Sequence, residues 1–397
     1  MIRASIGAVR PSTRQPAVSW SSRCAGCGSR RLPRRSAGRK DSRLSPPRAE
    51  TGRPLGLSST ITSAPRCRMR ARNQSGGAIA AWREPPCDGT LGAMTLPDTR
   101  PIVVCLGSVV MDHTFHVQEV VQPPSKNRAT SYALGAGGLA ANASIAVSRL
   151  GGHCVFWGRV GDDLNGTPLL EALAAQGVDV AHCRRAPNAR TPVSAVLVDP
   201  VGERSIFAYR GDNLGTDPAW LPLHLLDTAR AFLCDPRWPE GSAAALDYCR
   251  ARGIPTVIDG EKSETRILLD LIPRVDHAVF SQPGLGNYAP GLKPVDALRK
   301  AIADGCKVAA VTRGEKGTLW LTATDPTPRV TPAFRVQATN TTGAGDVFHG
   351  AYAVAVAEGM AVDRAMRFAS AAGGLRARDG ATPDRAMLEQ LLVEQPG

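Results

Sequence analysis

From Pro101 onward, short apolar β-rich runs that end in glycine or a polar residue alternate with stretches whose apolar residues recur at helical spacing. "PIVVCLGSVVMD" reads as a buried strand ending in a glycine turn, and "GLAANASIAVSRLGG" as a helix with a glycine stop. "HCVFWGRVGDD" is a second strand and turn, followed by the helix "TPLLEALAAQGV". Further along, "ARAFLCD", "IPTVIDG", "DHAVFSQPG" and "CKVAAVTRG" are strand-like, with the helical "GSAAALDYCRARG" and "PVDALRKAIADG" between some of them. Such alternation predicts an α/β fold, a parallel sheet with helices on both faces in one domain of about 300 residues. Two segments break the rhythm with period-2 patterning, and they predict a small second sheet with strands from about 113–134 and 191–211. Ligands of open α/β sheets bind beyond the carboxyl ends of the strands, so this projection is placed to act as a lid.

The stretch "TNTTGAGDVFHGAY", Thr339 to Tyr352, sets three threonines, two glycines and an acid at the head of an apolar helical run. Gly343 and Gly345 let backbone amides turn toward a ligand, and the helix starting there adds unpaired N–H groups and its positive dipole end. The combination makes an anion hole suited to a transferring phosphoryl group. Asp346 beside it reads as the base that takes the proton of an attacking hydroxyl. An aspartate in a first helical turn can also be a plain dipole partner, but Thr341-Thr342 and two glycines are an elaborate way to build an ordinary cap. Val347, Ala351 and Val354 give the helix an apolar face toward the sheet. The chain has no P-loop sequence of the G-x-x-x-x-G-K-[ST] type.

"NTTGAGDVFHGA" resembles the C-terminal signature of the ribokinase-like (PfkB) carbohydrate kinases, and "GAGGLAANASIAVSRLGG" resembles their N-terminal one, GG-x-x-x-N followed by a helix. "GRVGDDLNG" and "VTRGEKGTLW" resemble family segments in the same order, and the likeness covers about 101–390. The resemblance implies a Rossmann-like αβα three-layer sandwich with a β lid, transferring the γ-phosphate of Mg²⁺-ATP to a sugar hydroxyl. It implies that Asp346 is the base and that the amides of Gly343, Ala344 and Gly345 form the anion hole. Asp112 and Asn142 would hold sugar hydroxyls, with Gly137 and Gly138 allowing close approach, and Thr312, Gly314 and Gly317 fall where the family binds nucleotide. On the residues alone, Asp112 could instead be a turn-forming aspartate and Asn142 a helix-entry polar residue. Relatives often dimerise by pairing lid sheets, and exposed apolar lid residues would be the sign of it.

Two positions depart from the family pattern. Asn340 opens the signature where an aspartate is usual, and in several relatives that acid helps to hold a monovalent cation, so potassium activation is in doubt. The common Asn-x-x-Glu is replaced at its expected place by Gly284-Leu285-Gly286-Asn287. No metal ligands are assigned, and magnesium is expected to be held by phosphates and water.

The stretches "DPRWPEG", "VIDGE", "FSQPGL" and "TTGAGDVFHGA" resemble the branch of the family that phosphorylates 6-deoxy-6-sulfofructose at O1. That substrate carries a permanent anion at the end opposite the reacting hydroxyl. Arg237 and Lys126, the latter on the lid, are the candidate cations for it. Trp238 packs either against the ligand or in the core. The alternatives are another ketose or ketose-phosphate kinase, and a sugar-binding protein that has lost catalysis, which the intact Asp346 argues against.

The first 93 residues have a different texture. They hold 18 of the 48 Lys and Arg and four of the 35 acids, a net of +14, which leaves the remainder at −1. The basic character is thus confined to one segment, and the kinase-like part, 96–397, offers no electrostatic reason to expect nucleic acid. "RRLPRRSAGRKDSR" predicts disorder. A reading frame extended upstream of a true start near Met94 is the favoured account, with a transit peptide or an anion-binding tail as alternatives. Cys24-Ala-Gly-Cys27 lacks the second pair a zinc site needs. The other cysteines, irregularly spaced, read as reduced thiols of a cytoplasmic protein. No strongly apolar run is long enough to span a membrane.

Overall fold

The computed structural model describes residues 99–118, 126–200 and 204–396, all within one compact unit. The expectations for residues 1–93, the Cys24–Cys27 pair included, lie outside the described residues, as do the Pro123-Pro124 turn and residues 201–203.

In chain order the strands are β1 Ile102–Leu106, β2 Val110–His116, β3 Ser131–Gly137, β4 His153–Trp157, β5 Arg159–Gly161, β6 Arg184–Ala186, β7 Val193–Val198 and β8 Arg204–Tyr209. They continue with β9 Ala231–Cys234, β10 Thr256–Gly260, β11 His277–Ser281, β12 Val308–Thr312, β13 Thr318–Thr322 and β14 Arg329–Thr331. The α-helices are α1 Leu139–Arg149, α2 Gly166–Ala174, α3 Pro239–Arg252, α4 Thr265–Leu271, α5 Gln282–Tyr288, α6 Pro294–Ala303, α7 Ala344–Ala357, α8 Val362–Asp379 and α9 Arg385–Glu394.

β9 and β10 are buried along their whole length, as strands covered on both faces must be. They lie near the middle of an eight-stranded sheet of order β14-β13-β12-β11-β10-β9-β1-β4. From β4 to β12 the neighbours are parallel. β13 and β14 run antiparallel, so the sheet is mixed where the alternation predicted a parallel one. Residues 313–317 between β12 and β13 are too few for a crossover helix, and only an antiparallel return fits. Gly317 makes the turn possible: its φ is +70°, and a Cβ there would lie 2.1 Å from the Thr331 carbonyl oxygen.

The sheet divides two cores. Phe156, Leu169, Val347, Tyr352 and Met366 fill one side, beneath α1, α2, α7 and α8. Trp157, Phe232, Leu246, Phe280 and Leu298 fill the other, beneath α3 to α6. This is the three-layer αβα arrangement expected. Helix α7 packs against α8, α1 and β9, and every residue from Val347 to Ala355 is buried.

A separate four-stranded sheet, β3-β2-β7-β8, forms the lid. Its register sets Asp112 beside Ser194 on one face. The opposite face carries Tyr132, Leu134, Phe207 and Tyr209, which are 52%, 58%, 67% and 46% exposed, so four large, largely apolar side chains stay in water on that face. No helix among the described residues is long and apolar enough to cross a membrane.

Candidate active site

Helix α7 begins with a glycine turn. Gly343 is its N-cap at φ +73°, a conformation glycine adopts without strain. Gly345 has no such reason to be glycine. Its φ is not positive, and a Cβ there would meet nothing within 4 Å. The fold itself does not require the missing side chain. Gly345 and Ala344 in fact line a cleft of about 430 Å³ that reaches to Thr312, Gly314 and Gly317. The structure therefore joins the three nucleotide candidates to the start of α7, with Phe334 and Phe348 among the apolar walls.

Asp346 lies one residue beyond Gly345 in the first turn of α7, half-buried. Its Oδ2 accepts a 2.7 Å hydrogen bond from Asn142 Nδ2. Burial, and then the nearby Asp259 and Asp235 carboxylates, push its pKa up to about 7, against the Asn142 hydrogen bond and His349, which lower it. Asn142 stands in the first turn of α1, whose N-cap is Gly138 at φ +105°. A Cβ on Gly138 would lie 2.5 Å from the Ser108 carbonyl oxygen. On the lid, Asp112 Oδ1 accepts from Ser194 Oγ at 2.5 Å, and its Oδ2 would lie 2.1 Å from a Cβ on Gly137. Gly137 and Gly138 are thus needed by the chain's own close contacts. Burial raises the Asp112 pKa, and the Ser194 bond and His113 oppose it.

The remaining candidates divide. Arg237 leaves β9 half-buried, its backbone N–H donating to Asp235 Oδ1 at 2.8 Å and its guanidinium lowering the pKa of buried Asp259. It belongs to the acid cluster behind Asp346. Lys126 lies exposed in the β2–β3 connection, with no hydrogen bond or ion pair to a described residue near Asp346. Trp238 is a core residue: it is 1% exposed, stacks on Trp220 at 5.5 Å and donates to the Thr216 carbonyl. Gly284 to Asn287 fall inside α5, where Asn287 Oδ1 accepts from the Ser263 backbone and Nδ2 donates to Thr265 Oγ1.

Four residues of this region escaped the sequence reading. Asp235, fully buried, accepts from Ser108 N at 2.8 Å, Ser108 Oγ at 2.7 Å and Ala140 N at 3.1 Å, which pins the start of α1 to the end of β1. Asp259 is the last residue but one of β10, and burial, then Glu261 and Asp235, hold its pKa well above the usual carboxylate range. His349, one helical turn after Asp346, places Nδ1 2.7 Å from the Gly345 carbonyl oxygen and 3.4 Å from Asp259 Oδ2, with Nε2 3.0 Å from the Val279 carbonyl oxygen. Burial lowers its pKa, and the two carbonyls and Asp346 oppose that. Arg376 of α8 lies against Gly343, with Nε and Nη2 3.5 Å from the point a Cβ there would take. The one available signal was the acid closing each apolar strand run, "AFLCD" and "TVID".

Residues 101–384 match the family described as pfkB family carbohydrate kinase. The ribokinase of Bacillus subtilis (strain 168) is 30% identical over 275 residues, 66% of this chain and 89% of that protein. A putative ribokinase from Agrobacterium tumefaciens superposes with a TM-score of 0.70 at 34% identity, over 74% of this chain and 98% of that one. A fructokinase from Xylella fastidiosa, solved with bound ATP, shares the fold at a TM-score of 0.64 and 21% identity, over 75% of this chain and 99% of that one.

Proposed function

The chain belongs to the pfkB family of carbohydrate kinases, and from that premise we propose that its acceptor is 6-deoxy-6-sulfofructose, phosphorylated at O1. It is a sugar kinase of the ribokinase and fructokinase type, transferring phosphate from ATP to a hydroxyl. The observation that carries the reading of the site is the position of Asp346, one residue from the cleft lining at Gly345 and hydrogen-bonded to Asn142.

ATP supplies the phosphoryl group and the leaving group. Thr312, Gly314 and Gly317 would flank the nucleotide in the cleft, whose volume of about 430 Å³ and apolar walls suit a purine and its ribose. The amides of Gly343, Ala344 and Gly345 would face the phosphate end, and Asp112 and Asn142 would hold sugar hydroxyls. Asp346 then takes the hydroxyl proton, and its raised pKa makes it a stronger base near neutral pH than an ordinary carboxylate. On this reading Mg²⁺ is held by the phosphates and water, and no residue of the chain is assigned to it.

The sulfonate reading rests on Arg237 and Lys126. Arg237 stays half-exposed beside its acidic neighbours, and Lys126 lies exposed in the β2–β3 connection of the lid. A pentose is the second reading, favoured by the 30% identity to a ribokinase. The test is kcat/KM for sulfofructose, fructose, fructose 6-phosphate and ribose, in the parent and in Arg237→Ala. Preference for sulfofructose, lost selectively in Arg237→Ala, supports the assignment. Equal losses on all four sugars remove Arg237 from the sulfonate, and preference for ribose gives the site to the pentose.

We also place the enzyme in the cytoplasm, where thiols such as Cys105 and Cys154, 3.7 Å apart between their sulfurs, stay reduced. A second copy is the proposed occupant of the outer lid face.

A further inference from the structure

Arg376 is a charged group beside the head of α7, lining a hollow with Asn142, that the reading above leaves without a task. It projects from the last turns of α8 onto the turn that starts α7. Nε and Nη2 are each 3.5 Å, and Asn142 Nδ2 is 3.7 Å, from the point where Gly343 would carry a Cβ. The guanidinium and the amide that holds Asp346 therefore lie over the same glycine. Its Nη1 is buried and has no hydrogen-bond partner among the described residues. An arginine donor buried without an acceptor is unfavourable, because desolvation is not offset by a bond.

The charges around it point the same way. Burial above all disfavours its charged form, Arg204 on the lid adds to that as a second cation, and Asp346 is the acid that opposes both. Arg204 pairs in register with Val198 and, through it, with His116, so it stands on the lid face that carries Asp112. Two guanidiniums brought together from α8 and the lid, beside a carboxylate engaged by Asn142, make a place where added negative charge is favoured. The reaction brings that charge with each turnover.

We propose that Arg376 is the fixed cation of the anion hole, offsetting the charge of the phosphoryl group as it passes over Gly343, with Arg204 as its counterpart on the lid. The inference rests on the kinase reading and deepens it. Arg376 is expected to act where charge develops, so its effect should fall on kcat more than on sugar binding.

The test uses the full chain with MgATP and whichever of sulfofructose, fructose, fructose 6-phosphate and ribose the parent turns over best. Arg376→Ala should lower kcat by about 10²–10³-fold and leave the sugar KM within about threefold. Added guanidinium should restore at least about a tenth of the lost rate, and Arg376→Lys should keep more activity than Arg376→Ala. The acid limb of kcat/KM should move to higher pH in Arg376→Ala, because a cation that holds the Asp346 pKa down is gone. A kcat within about threefold of the parent overturns the proposal. So does a loss that guanidinium does not rescue, leaves the pH limb in place and tracks a drop in Tm, which makes the residue structural. An inactive Asp346→Asn beside a fully active Arg376→Ala would sink this inference alone, whereas an active Asp346→Asn would sink the kinase reading of the site beneath it.

Discussion

Asn142 donates from Nδ2 to Asp346 Oδ2 across 2.7 Å, a bond between residues 204 positions apart that ties the first turn of α1 to the first turn of α7. The bond favours the carboxylate form, so Asn142→Ala should raise the Asp346 pKa further. The acid limb of kcat/KM is expected to shift upward by roughly half a unit to one unit, and the sugar KM to rise about tenfold. A pH profile of both proteins checks this, and a limb that stays in place removes the coupling.

Asp346→Asn should lower kcat by at least about 10²–10⁴-fold, with ATP still bound. In the parent, kcat/KM should climb with pH through about 7 and level off, because the base must shed its proton. The same residue weighs on stability. Its folded pKa of about 7 lies above the ordinary 3.8, so the folded chain binds that proton more tightly than the unfolded one. Stability should therefore fall as pH rises between those two values. Asp346→Asn is expected to melt about 2–8 °C above the parent at pH 8, a gap that shrinks toward pH 5. Thermal melts at both pH values read it out.

Gly345→Ala separates the needs of the fold from those of the reaction. A methyl group there meets no atom of the chain, and alanine is the better helix former. The Tm should stay within about 2 °C of the parent or rise, while kcat/KM for ATP drops about tenfold or more as the methyl group enters the phosphate path. An unchanged kcat/KM would mean that nothing in the reaction uses that space.

The outer lid face predicts association. Tyr132, Leu134, Phe207 and Tyr209 should be covered by the same face of a second chain, so the parent is expected to sediment as a dimer. Leu134→Lys with Phe207→Asp should give monomers at the same loading. A parent that sediments as a monomer throughout the micromolar range would leave that face uncovered.

Much of the fold was legible because a buried parallel sheet writes itself as fully apolar runs, and β9 and β10 are such runs. The antiparallel edge at β13 was not, since a strand's direction depends on the length of its connection rather than on its own residues. The glycines at 137 and 138 read as room for a sugar, whereas the atoms crowding them are the chain's own, the Asp112 carboxylate and the Ser108 carbonyl, which the sequence does not show as neighbours. Arg376 was hidden because an arginine late in an amphipathic helix looks like a solvated one until the neighbouring helix is in place. Asp235 and His349 were hidden because their partners, Ser108 and Val279, lie 127 and 70 residues away.

β1 passes into β2 through residues 107–109, and β3 passes into α1 at Gly138, so two paired strands of the lid are mounted on neighbouring stalks. Asp235 clasps both at once, through Ser108 on one and Ala140 on the other. The canopy is therefore hinged on the same few peptides that aim Asn142. Tilting it must flex them, so the posture of the canopy and the bond from Asn142 to Asp346 change together.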